Sequence, residues 1–348
     1  MRIWTAIPAD AKEVGDVLAG VKFLGQHGPF FGESFDMDEP VEFRHQPVLV
    51  EEVIKALQPI SGGKYLDGTL GGGGHAEAIL RVSSPEGILW GIDRDQSAIE
   101  AASSRLAAFG NRVKIKHGAY SSAVGWVTAR TMDGVLLDLG VSSPQLDFAE
   151  RGFSLQTEGP LDMRMDRTQS LTAVQVINEW PEEDLADAIW KFGGERDSRR
   201  IARSIVRARE EKTIETTTQL SALIEKAKRY GKYKKHPALQ VFQAIRIVVN
   251  GELCELGKGL EMAYGLLKSG GRLAVITFHS LEDRMVKEYG NEQARDYDIP
   301  GDHDVPVQRV DREPYMKWVC KKSIKPSTNE IKTNPRARSA QLRVLEKI

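Results

Sequence analysis

The chain has 348 residues, 41% apolar and 28% charged, with a net charge of -1. That composition belongs to a globular protein with a full-sized core and excludes wholesale disorder, while 32 Gly against 15 Pro excludes a collagen-like repeat. No run approaches the roughly eighteen apolar residues that span a bilayer, and two distant cysteines, Cys254 and Cys320, make neither a disulfide framework nor a zinc cluster.

Residues 1–40 mix Gly, acids and scattered aromatics without periodicity and read as an appended segment, with Met37 an alternative start. Acids enter early and there is no apolar signal core, so the expected compartment is the cytoplasm. From His45 the pattern sharpens. Pro47 to Leu57 has helical period, and Lys64 to Asp67 reads as a buried strand running into the loop Gly68-Thr69-Leu70-Gly71-Gly72-Gly73-Gly74. A helix follows from His75, then a strand over Gly87 to Asp93, a helix over Ser97 to Phe109, and strands over Val113 to His117 and Asp133 to Leu139. Strands alternating with helices at this spacing predict an α/β fold with a parallel, doubly wound sheet. The alternation stops from about Ala149 to Pro237, which is charged and helical. It resumes with one long helix, roughly Ala238 to Lys268, a strand over Gly271 to Phe278 and an edge strand over Ala340 to Leu345. The expected organisation is an extension (1–40) and an α/β domain in two parts (41–147 and 238–348), interrupted by an all-helical insertion (148–237).

Charge is uneven along the chain. Lys191 to Asn250 holds 15 Lys/Arg against 6 Asp/Glu, and Pro314 to Ile348 holds 9 against 2, whereas Met1 to Ile60 holds 5 against 10. Two basic regions on a nearly neutral chain point to a polyanionic partner.

A strand ending in Asp67, a glycine-rich turn and a helix bring backbone close to a nucleotide-like ligand, and Asp93 ends the next strand where an acid binds ribose hydroxyls. A dinucleotide site is the rival, and Gly71, Gly73 and Ala76 satisfy its looser glycine fingerprint. Asp67 tips the choice, because a carboxylate repels a pyrophosphate but attracts the ammonium and sulfonium of S-adenosylmethionine. Cytosine C5 chemistry needs a thiolate, and neither cysteine follows the fourth strand. The turn that does, Asp138-Leu139-Gly140-Val141-Ser142-Ser143-Pro144-Gln145, offers a carboxylate, two hydroxyls and a carbonyl ahead of Pro144. Such acceptors localise the lone pair of an exocyclic amine and relay its departing proton, so Asp138, Ser142, Ser143 and Pro144 are the candidate catalytic group, with Asp138 either a catalytic acceptor or a cofactor ligand. No metal is expected.

The motifs His45-x-Pro47-Val48-Leu49, Asp67 to His75, Ile92 to Asp95, Leu136 to Asp147, Glu150 to Ser154, Gly159 to Asp166, Thr277 to Arg284 and Asn334 to Ser339 occur in order. Together they closely resemble the bacterial ribosomal RNA small subunit methyltransferase H family, also called MraW. The resemblance implies a Rossmann-like methyltransferase sheet with an inserted helical domain that recognises substrate. It implies N4-methylation, with S-adenosylmethionine, of cytidine 1402 in the decoding centre of 16S rRNA, on an assembled small subunit. By motif position it carries cofactor contacts to Gly73, Gly74, His75, Ala76, Asp93, Tyr120, Asp138 and Gln145. Tyr120 stands where the family usually has Phe, residues 1–40 have no counterpart, and the Pro-Pro-aromatic turn of many amino-methyltransferases is missing, which leaves the base-stacking group open.

Arg196, Arg200, Arg203 and Arg207 fall on one predicted helical face and, with Lys321, Lys322, Lys325, Arg336 and Arg338, are the expected RNA contacts. Asp162-Met163-Arg164-Met165-Asp166 is expected to stitch the two domains by ion pairs, and His279 to be a hydrogen-bonded structural residue. No membrane partner is expected, and a homodimer is left open.

Overall fold

In a computed structural model of the chain, the described residues are 47–228, 236–298 and 309–348. The extension over 1–40, with Met37, and the motif residue His45 lie outside them.

Five strands run parallel: β1 (Lys64–Asp67), β2 (Ile88–Asp93), β3 (Val113–His117), β4 (Met132–Asp138) and β5 (Leu267–Thr277). A two-stranded ribbon, β6 (Tyr297–Asp298) with β7 (Val310–Asp311), stands apart. Two strands, β8 (Met316–Trp318) and β9 (Gln341–Lys347), complete the main sheet in the order β3-β2-β1-β4-β5-β9-β8, with β9 antiparallel to both its neighbours. This is the Rossmann-like sheet expected, with one difference. The strand predicted for the edge is β9, which is covered on its outer side by β8, a three-residue strand too short to show a period of two.

The helices in chain order are α1 (Val50–Leu57), α2 (Gly74–Val82), α3 (Gln96–Leu106), α4 (Ser143–Asp147), α5 (Ala173–Glu179), α6 (Glu182–Gly193), α7 (Ser198–Glu211), α8 (Thr217–Ala227), α9 (Leu239–Asn250), α10 (Glu252–Leu266), α11 (Ser280–Gln293) and α12 (Thr328–Thr333). The single long helix expected over 238–268 is two, because Gly251 adopts φ 57° between α9 and α10 and ends the first with a left-handed cap. No described helix is long and apolar enough to cross a membrane.

Each sheet face buries its own core. Leu66, Ile92, Leu137 and Val275 pack with Leu256 and Leu260 of α10 on one side. Tyr65, Leu89, Leu136 and Ile276 pack with Val53 of α1 and Ile79 of α2 on the other. The central strands are thus apolar on both faces, which is why they read as short continuous runs. A third core, including Ile177, Ile189, Ile201, Ile224 and Ile245, lies among α5 to α9.

Candidate active site

The sheet reverses its direction of winding between β1 and β4, and a crevice forms there beyond the carboxyl ends of parallel strands. β1, β2 and β4 each end in an aspartate, Asp67, Asp93 and Asp138. A cavity of about 400 Å³ opens at this rim.

The glycine loop is pinned from below. Gly68 donates to the Leu136 carbonyl (2.9 Å) and Leu70 to that of Ile92 (3.0 Å), while Gly71 donates to Asp93 Oδ2 (2.8 Å). A β-carbon on Gly68 would stand 2.6 Å from Leu137 Cδ2 and 3.0 Å from Tyr120 Cβ, so a side chain there would displace Leu137. Asp93 Oδ1 also accepts from the Asp95 amide (2.9 Å), so the expected ribose acid braces the loop as well. Burial raises its pKa.

Asp67 is 1% exposed and accepts only the Thr69 amide, on Oδ1, leaving Oδ2 without a partner. Burial pushes its pKa up to about 7, against the pull of His75. His75, in the first turn of α2, is 5% exposed, and neither ring nitrogen has a hydrogen-bond partner. Its Nε2 stands 3.5 Å from Asp138 Oδ2. Burial lowers the His75 pKa, but Asp138 and Asp67 outweigh it and the net shift is upward. Asp138 accepts nothing on Oδ1, while its amide donates to Thr69 Oγ1 (2.6 Å). Asp67 Oδ2, Asp138 Oδ1 and His75 Nδ1 are thus buried at the rim without a hydrogen bond, while His75 Nε2 faces Asp138 Oδ2.

Of the cofactor contacts expected from the resemblance, Gly74, His75, Asp93, Tyr120, Asp138 and Gln145 line the cavity, and Gly73 and Ala76 do not. Gly73 faces α3 instead: its φ is 79°, and a β-carbon would approach Ala102 to 3.3 Å. Ala76 is wholly buried beneath the loop. Tyr120 is buried against α10, where a β-carbon on Gly259 would stand 2.3 Å from its ring.

Gln145 has a second task. Its Oε1 accepts from the Ser142 amide (3.0 Å) and its Nε2 donates to Asp95 Oδ2 (2.9 Å), fixing the turn after β4 to the start of α3. The same oxygen of Asp95 receives Arg151 Nη1 (2.8 Å), and Arg151 Nη2 donates to the carbonyls of Arg164 and Met165 (both 3.1 Å). Ser142 lines the cavity at the head of α4, and Pro144 is buried behind it. Ser143 opens α4, and its place in the catalytic group remains a sequence expectation.

Two expectations need adjustment. Arg164 pairs with Asp162 inside its own loop (2.7 and 2.9 Å), and the tie to the sheet is made by Arg151 at Asp95, while Asn250 holds the loop to the end of α9, donating to the Met163 carbonyl and accepting the Met165 amide (2.8 Å each). Arg200, Arg203 and Arg207 share the exposed face of α7, opposite buried Ile201 and Ile205, but Arg196 precedes the helix. Of the C-terminal basic residues, Arg336 lines the cavity and pairs with Asp147 of α4, whereas Lys321, Lys322, Lys325 and Arg338 are exposed without lining it.

Sequence reading passed over Phe278, Met165 and Arg94, which also line the cavity. Phe278 was legible as the last residue of a predicted strand that ends on the same rim as Asp138. His279 caps α11, its Nδ1 accepting the Glu282 amide (3.4 Å), a structural part as expected. Donor atoms of Glu252, His279 and Glu282 lie within 4.8 Å of one another. Two of the three are engaged elsewhere: Arg246 grips both Glu252 oxygens (2.8 Å each), and Glu282 Oε2 accepts the Phe278 and His279 amides (2.8 and 3.2 Å), while His279 Nε2 lies 3.1 Å from Glu282 Oε1.

With this geometry in view, the sequence was compared with known proteins. A model of the MraW methylase family matches residues 42–348. The chain is similar to ribosomal RNA small subunit methyltransferase H of Symbiobacterium thermophilum, 49% identical over 315 residues, spanning 88% of this chain and 97% of that one. The Geobacter sp. (strain M21) protein of the same name is 48% identical over 312 residues (88% and 99%), and that of Syntrophotalea carbinolica 46% over 311 (88% and 98%).

Proposed function

The chain belongs to the MraW methylase family, and from that premise we propose that it transfers a methyl group from S-adenosylmethionine to N4 of cytidine 1402 in 16S rRNA, on the small ribosomal subunit in the cytoplasm. The observation that carries this reading is the set of unpartnered buried atoms on Asp67, His75 and Asp138 at the sheet's switch point. A phosphate-bearing ligand is repelled by such carboxylates, whereas a ligand with an ammonium and a sulfonium is held by them. The residues therefore fit the methyl donor. Asp93 would hold its ribose and Asp67 its positive charge, with Tyr120 and Arg94 walling the cavity on the β3 side.

When bound, the donor supplies a methyl group on a cationic sulfur, open to in-line attack. The chain's own work is positioning. Asp138 accepts a hydrogen bond from the cytosine amine, which returns lone-pair density to N4, and Asp138 with His75 holds the proton that N4 loses. Gln145 keeps the Ser142 turn at its distance by anchoring it to Asp95. The helices over 148–237, with the exposed arginines of α7, form an inserted domain that contacts phosphates, and Arg336 extends that contact to the mouth of the cavity.

Mass spectrometry of digested rRNA from a deletion strain tests the enzyme. Loss of N4-methylation at that cytidine is expected; its retention contradicts catalysis and leaves a cofactor-binding assembly factor. Gel-shift titration separates RNA from a small-molecule acceptor: affinity for small-subunit RNA should fall steeply with added salt, and a flat response contradicts RNA recognition.

A further inference from the structure

A cytosine brought out of the RNA stack loses its neighbours, and a site that holds it by its amine edge alone leaves both ring faces uncovered. The turn after β4 offers no aromatic ring between Asp138 and Gln145. Two aromatic side chains line the cavity among the described residues, Tyr120 and Phe278, and the strand order puts them on opposite sides of Asp138. Tyr120 follows β3, on the side of Asp93. Phe278 follows β5, whose Ile276 pairs with Asp138 itself.

We propose that Phe278 is the platform on which the target cytosine stacks. The proposal rests on the RNA-methylation reading above and supplies the group that the missing Pro-Pro-aromatic turn leaves unassigned. The ring is held in place. The ring packs beside Gly140, where a β-carbon would come within 3.2 Å of Cδ2, and the backbone there has a left-handed φ of 100° that favours glycine. Its backbone amide donates to Glu282 Oε2 (2.8 Å), and Glu282 is 2% exposed. The Phe278 side chain itself stays half-buried and reaches the cavity beside Asp138 and Ser142. A flat apolar surface thus stands next to the carboxylate that receives the amine, which orients a base without selecting among bases by hydrogen bonding.

The test uses full-length protein and small subunits purified from a deletion strain. Phe278→Leu and Phe278→Met both keep an apolar group against Gly140 and remove the ring face; Phe278→Tyr keeps it. Loss of one stacked base predicts that the two ring-free variants lose about fivefold to a hundredfold in kcat/KM, with cofactor affinity by calorimetry within about threefold of the parent. Phe278→Tyr should restore most of the loss. Parental kcat/KM in either folded ring-free variant overturns the platform, as does a loss matched by an equal loss of cofactor affinity, or a tyrosine variant no better than leucine. The parent protein is run alongside: if it forms no N4-methylcytidine, the functional reading fails whatever the variants do.

Discussion

Asp67 is the residue on which the site's charge balance turns. It is buried, its pKa is pushed up to about 7, and one of its oxygens has no partner. Below that pH the free protein carries a proton there which a cationic ligand must expel. Binding therefore favours the ionised form, and cofactor affinity should rise as pH goes from 6 to 8, by up to about tenfold per unit below pH 7 and levelling above it. His75 acts in the same sense, since its raised pKa keeps a competing positive charge near Asp138 at lower pH. Calorimetric titration in buffers of different ionisation enthalpy measures both the slope and the released proton. A flat profile contradicts the assignment, and Asp67→Asn should make the slope shallower, leaving only the part that His75 contributes. Asp93 is a companion case. Asp93→Ala removes a ribose acceptor and the brace on Gly71, so cofactor affinity should fall by about tenfold or more; unchanged calorimetric affinity refutes the ribose role.

Between elements, the joint that matters is Asp95. It caps α3 through Ser97, holds the Ser142 turn through Gln145, and receives Arg151 from the loop that meets Met165. Both members of the Asp95–Arg151 pair are under a tenth exposed. Arg151→Ala leaves a buried carboxylate without its cation and should cost about 3–5 kcal/mol of stability, read by chemical denaturation. A loss below about 1 kcal/mol shows that water replaces the guanidinium there.

This joint also marks the limit of what sequence patterning reveals. β1, β2, β4 and the glycine loop were legible because each is a local pattern: an apolar run, a terminal aspartate, a glycine string. Asp95 and Arg151 are 56 positions apart, and no periodicity connects them. The break at Gly251 was missed because helical period continues through one glycine, and only its left-handed φ separates α9 from α10. The Gly73 contact comes from motif position in the family resemblance alone, and a glycine string does not itself say which member faces the cavity and which faces α3.

Across the whole molecule, the sheet's rim holds the proposed catalytic groups and α7 holds an exposed row of arginines on a separate core. That separation predicts separable effects. Replacing Arg200, Arg203 and Arg207 together with Ala should weaken binding to small subunits and make the salt slope shallower, by about one unit per lost phosphate contact, while cofactor affinity stays unchanged. Arg203 is held in part by Glu182 at 3.4 Å and is expected to contribute least of the three. An unaltered salt slope in the triple variant contradicts the phosphate role.

The central claim is that a carboxylate-lined crevice directs a methyl group to the exocyclic amine of a cytidine. It is tested most directly by incubating the protein with isotopically labelled S-adenosylmethionine and unmethylated small subunits, then resolving the nucleosides by chromatography and mass spectrometry. The account predicts label in N4-methylcytidine. Label in 5-methylcytidine or in a ribose-methylated nucleoside, or none in RNA at all, contradicts it.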